Sequence, residues 1–169
     1  MFPAATCNKS YQQWTSHAPA SYSMKMLQDT KLYTVLALAG TIPFIAAGLL
    51  PLLGIDALPY LGPLDQLVAS YGLAIVCFLA GAHWGTYLAG RSTNSLNLFV
   101  ISNVIFLAVW FAYVGAGIKT AIGMQIFAFL TLLLIDLRLR SGDVISATYF
   151  RVRAVATLIA IVSLLFVIG

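Results

Sequence analysis

Five stretches of this chain contain no charged residue at all: 32–55, 66–90, 92–118, 120–135 and 154–169. A helix rises about 1.5 Å per residue and a bilayer's hydrocarbon core is about 30 Å thick, so one crossing needs about 20 apolar residues. The first three stretches are ample. The last two are a little short and require their flanking charges at the membrane boundary, with Lys119 or Asp136 bounding the fourth and Arg151 and Arg153 snorkelling toward the headgroups from the fifth. The expected spans are about 32–53, 67–90, 96–116, 118–137 and 150–168. Only 8% of the chain is charged and 61% is hydrophobic, where an ordinary soluble domain has about 25% charged residues. The expected fold is therefore all-α: a polytopic membrane bundle of five transmembrane helices over 32–169, preceded by a polar tail over 1–31.

Charge also predicts direction. Lys9, Lys25 and Lys31 precede the first span, Arg91 follows the second, and Arg138, Arg140, Arg151 and Arg153 surround the connection from the fourth to the fifth. All of these fall on one side. The other side receives Lys119 and a proline-rich loop carrying Asp56, Pro59, Pro63 and Asp65. The positive-inside rule then places the N-terminus inside and the C-terminus outside. The same distribution excludes nucleic acid as a partner, because the basic residues sit at the ends of apolar runs instead of clustering on one exposed element.

The tail is rich in Ser, Thr, Gln and Tyr and contains one acid, Asp29. It lacks the short apolar core of a secretory signal, and its hydroxyl-rich composition meets only part of the transit-peptide pattern because it has no Arg. Cys7 lies in the tail and Cys77 inside the second span, so no disulfide framework is expected.

Most of the candidate chemistry lies in the second span. Gly81 and Gly85 form a Gly-x-x-x-Gly pair, extended at the same spacing by Cys77 and Ala89. At about 100° per residue these small side chains make one stripe on which another helix can approach closely. His83 lies two residues from each glycine and so points away from the stripe, toward a second neighbour, a cavity or lipid. Lipid is the costliest of these for a polar ring. Depth arithmetic puts His83 and Asn103 about 12 Å in from the same boundary, within reach of each other. Asp136 sits near the same end, with Arg140 placed for an i, i+4 pair.

The candidate polar pocket is thus His83, Trp84, Asn103, Asp136, Arg138 and Arg151, and Arg91, Arg140 and Arg153 are expected at lipid headgroups. Two readings remain open. The pocket offers His83 as a proton acceptor or hydrogen-bond donor to a quinone, a haem or an anionic headgroup; or His83 and Asn103 simply join two helices while Asp136 and the arginines form a boundary cluster. A bis-histidine haem needs a second imidazole, and the other His in the chain is His17 of the tail. Pro43 and Pro51 predict a kinked first span. No phosphate-binding loop, zinc motif or nucleophile elbow is present, so no catalytic residue, metal or cofactor is expected, with quinone or haem as the alternative.

At Tyr71-Gly72, Phe78-Leu79-x-Gly81-x-His83-Trp84-Gly85, Asp136 and Tyr149-Phe150-Arg151-x-Arg153, the sequence resembles the small membrane family catalogued as domain of unknown function 3429. That family includes bacterial proteins and transmembrane-protein-69-like mitochondrial proteins. Gly40-x-x-Pro43-Phe44 adds to the match. The resemblance implies an inner-membrane helical bundle, bacterial or mitochondrial, and assigns no role to His83 or Trp84. Little extramembrane mass and a helix-docking stripe lead us to expect a non-catalytic accessory subunit or assembly factor of a larger membrane complex, with a respiratory complex as the candidate. A small carrier or a quinone- or haem-linked redox protein is the alternative.

Overall fold

The computed structural model describes residues 31–89 and 97–169. The chain divides into two compact units, Met1–Leu36 and Ala37–Gly169. In the first, residues 31–36 are helical; the second carries everything discussed below. Five segments are long and apolar enough to cross a membrane: Lys31–Leu53, Leu64–Leu88, Leu98–Gly115, Ile118–Ser141 and Ala147–Ile168. The protein is an all-helical integral membrane protein. We label its helices α1 (31–39), α2 (Ile42–Leu49), α3 (Leu64–Leu88), α4 (Leu98–Gly115), α5 (Ile118–Ser141) and α6 (Ala147–Ile168).

The first span is broken, as its prolines predict. Gly40 and Thr41 form a turn between α1 and α2, and Pro43 stands in the first turn of α2, where a missing N–H costs nothing. The break is satisfied locally and across helices. The Thr41 amide and hydroxyl both donate to the Leu38 carbonyl (2.9 and 2.7 Å), and the Tyr71 hydroxyl of α3 donates to the Gly40 carbonyl at 2.8 Å. A backbone acceptor opened inside hydrocarbon needs such a partner. Pro51 lies in a short 3-10 turn, Leu50–Leu53, which ends at Gly54 in the left-handed region (φ 78°). The proline-rich loop that follows folds into a small antiparallel hairpin, β1 (Ala57–Leu58) on β2 (Gly62–Pro63).

Side-chain caps start two of the helices. Asn97 accepts the Val100 amide at the head of α4, and Ser146 accepts the Tyr149 amide at the head of α6. Helix α5 runs on to Ser141, past the expected end at 137, and α6 begins three residues before the expected 150. Arg138, Arg140, Arg151 and Arg153 are therefore all helical residues.

Helix α3 packs on α2, α4 and α5, and α6 packs on α2 and α5. The core centres on Phe44, whose ring meets Tyr71 (5.2 Å) and Phe129 (5.9 Å) edge-on. At Gly48 the backbones of α2 and α6 come close, since a Cβ there would lie 3.1 Å from the Ser163 carbonyl oxygen. Close approach at small residues is how helices gain dispersion energy where lipid is as apolar as leucine. Phe78, Phe111, Phe127, Leu134, Leu158 and Phe166 remain exposed, as a lipid-facing surface requires.

Candidate functional site: a buried histidine, aspartate and arginine

Three spans meet at Asp136. His83 of α3 places Nε2 2.9 Å from Oδ1, while Arg153 of α6 donates from Nε to Oδ2 at 3.0 Å and holds its Nη2 2.9 Å from the same oxygen as an ion pair. Asp136 is 1% exposed and His83 3%. Paired with the guanidinium, the carboxylate is acceptor-only, so the ring hydrogen is assigned to Nε2 of His83. Nδ1 of His83 is then left buried with no hydrogen-bond partner. Removing a charged group from water is expensive unless it is paired and hydrogen-bonded. The guanidinium meets that requirement for Asp136, and the carboxylate fixes the plane of the imidazole.

Helix geometry explains the convergence. On α3 the buried positions include Ala69, Gly72, Val76, Ala80 and His83, and on α5 they include Gln125, Ala128, Leu132 and Asp136, each set recurring every three or four residues. The two helices run parallel, so their buried stripes form one seam. His83 and Asp136 close it at one end. At the other, Gln125 donates Nε2 to the Ala69 carbonyl (2.6 Å), with its Oε1 buried and unpaired. Gly72 is the notch that admits this amide: a Cβ there would overlap Gln125 Oε1 and lie 2.9 Å from its Cδ.

The expected pocket is only partly assembled. His83 and Asp136 come together as their depths suggested. Asn103 does not join them; its Nδ2 donates to the Phe99 carbonyl of its own helix at 2.8 Å. Trp84 stacks on Phe99, with centroids 4.4 Å apart. Arg138 and Arg151 are exposed, each two residues (about 200°) around its helix from a member of the buried triad. The pair expected between Asp136 and Arg140 is replaced by one between Arg140 and Asp143, at 2.9 Å, on the surface. Arg153, expected at a headgroup, is instead the cation of the buried cluster. Arg91 lies outside the described residues.

Among the described residues, nothing packs on the small-residue stripe. Cys77, Gly81, Gly85 and Ala89 are all exposed, and a Cβ at either glycine would meet nothing within 4 Å. Gln125 was not expected, and a lone amide inside an apolar run is the signal that identifies it. Among the described residues no group of three or more His, Cys, Asp or Glu side chains is placed to hold a metal ion.

A family model described as a protein of unknown function (DUF3429) matches residues 30–169. No curated protein and no solved structure matches the chain.

Proposed function

The chain belongs to the DUF3429 family, and we propose that it is a non-catalytic accessory subunit or assembly factor of a larger membrane complex, docking through the face of α3 that carries Cys77, Gly81 and Gly85. One observation carries this reading. Among the described residues, those best suited to close helix packing are left uncovered by the other helices, where lipid-facing positions elsewhere carry Leu, Val and Phe. A transmembrane helix of another protein, crossing over the two glycines, would gain the close contact that the stripe offers. The basic residues support a topology with the N-terminus and the α5–α6 connection inside, in a bacterial cytoplasmic or mitochondrial inner membrane; a respiratory complex is the partner we favour.

The test is gentle-detergent extraction from the native membrane, followed by native electrophoresis. We expect the wild-type chain to migrate with a large assembly and to crosslink from Cys77 to one of its transmembrane subunits. Gly81→Leu with Gly85→Leu releases it while leaving its own unfolding in detergent unchanged. Wild-type protein migrating alone, or variants migrating with the assembly, overturns the proposal.

A second reading is favoured by the orphaned Nδ1 of His83. A buried imidazole oriented by a carboxylate is suited to accept a hydrogen bond from a membrane-soluble ligand, in a carrier or a quinone- or haem-linked redox protein. An absorption spectrum and a lipid extract of the purified protein, each compared with His83→Ala, decide it. A chromophore or bound quinone lost in the variant supports this reading, and neither in the wild type removes it.

A further inference from the structure

Between α2, the hairpin and the first turns of α3 lies an open groove of about 480 Å³, lined by Ala46, Leu58, Leu64, Leu67, Tyr71 and Ala74 among others. Its lining offers only two side-chain hydroxyls, and both are already used: Ser70 Oγ donates to the Leu67 carbonyl and Tyr71 to the Gly40 carbonyl. The groove therefore recognises hydrocarbon and has no free side-chain hydrogen-bond donor for a buried ligand head. In a bilayer an open apolar groove fills with an acyl chain, so selectivity must come from the mouth.

Among the described residues, the charges next to the lining in the chain are of one sign. Asp56 is exposed, its carbonyl accepts the amide of lining residue Leu64 at 3.0 Å, and it stands two residues from lining residue Leu58. Asp65 follows Leu64 in the first turn of α3. No Lys or Arg occurs between Lys31 and Arg91, and the one cation expected on this side of the membrane, Lys119, donates Nζ to the Ile168 carbonyl. An anionic headgroup is repelled by two carboxylates, whereas a primary ammonium both neutralises and hydrogen-bonds to them; a quaternary ammonium has no hydrogen to donate.

We propose that this groove is a binding site for a phospholipid with a primary-amine headgroup, its acyl chain lying between α2 and α3 and its ammonium at Asp56 and Asp65. The groove lies on α3 nearer the hairpin than the docking stripe, and the test uses the purified chain without any partner, so it stands or falls separately from the docking proposal.

The full chain is reconstituted in phosphatidylcholine vesicles containing a trace of lipid with a photoreactive acyl chain and an ethanolamine, choline or glycerol headgroup, and the labelled residues are mapped by mass spectrometry. The ethanolamine probe is expected to label α2 and the first turns of α3 about threefold more than the glycerol probe, the scale of a solvent-screened ion pair, with choline between them. Ala74→Trp, which fills the groove from its exposed rim, removes that labelling for all three probes. Asp56→Asn with Asp65→Asn equalises the headgroups without emptying the groove. Equal labelling by the three probes, or labelling that survives Ala74→Trp, means annular lipid only and overturns the proposal. Should Ala74→Trp fail to fold, the aspartate variants decide: a headgroup preference that persists without the carboxylates overturns it.

Discussion

The two ends of the α3–α5 seam solve one problem in different ways. Toward the hairpin the chain buries a neutral amide, Gln125, against a backbone carbonyl and a glycine notch, using two helices and one hydrogen bond. At the opposite end it buries a carboxylate, which requires a third helix to supply the counter-charge. A neutral group can be left half satisfied, as Gln125 Oε1 is. The carboxylate has both oxygens engaged. The cost of burying a group thus sets how many elements must converge on it.

Asp136→Ala should have the largest effect, because it strands the Arg153 guanidinium and the His83 ring together. Breaking a buried pair by removing one partner costs about 3–5 kcal/mol, read as a lower detergent-unfolding midpoint. Replacing His83, Asp136 and Arg153 together with Leu, Leu and Met should recover most of that loss, since a well-packed apolar substitute is often neutral for a buried ion cluster. A triple variant as unstable as Asp136→Ala would show that the cluster contributes more than its pairing.

At the other end, Gly72→Ala forces the Gln125 amide to move and should cost about 1–3 kcal/mol by overpacking. Adding Gln125→Ala should remove most of that penalty; a double variant no better than Gly72→Ala would deny that the notch exists for the amide. Gln125→Leu alone should cost about 1 kcal/mol or less, the range of single interhelical hydrogen bonds in membranes. The smallest effect belongs to the surface pair: Arg140→Gln should leave the unfolding midpoint unchanged, and a marked fall would mean that the Arg140–Asp143 pair is not the solvated contact its exposure indicates.

The spans were legible because charges mark membrane boundaries, and the gaps between them bracket the five apolar segments. The kink at Pro43 was legible for the same elementary reason, a missing backbone donor. The partners of Asp136 were only half legible. Depth placed His83 at its level, but sequence spacing favoured Arg140 at i+4, and the neighbour that matters, Arg153, comes from a different helix. Nothing local specifies that choice, which depends on which face of α6 turns inward. Gln125 escaped because reading by charge treats an uncharged amide as part of the apolar run, although Gly72, its counterpart on α3, stood within the family-like motif. The stripe at Gly81 and Gly85 was visible as a packing motif, whereas its exposure among the described residues was not, since spacing gives a face but not its neighbour.

The chain order of the triad bears on biosynthesis. His83 emerges from the ribosome first, Asp136 second and Arg153 last, and the helix bearing Arg153 also packs on α2, near the start of the described chain. During membrane insertion Asp136 must therefore wait for its cation until α6 is translated, and α2 waits with it for that neighbour. A chain interrupted after α5 carries an acid without its counter-charge, an expensive arrangement in hydrocarbon.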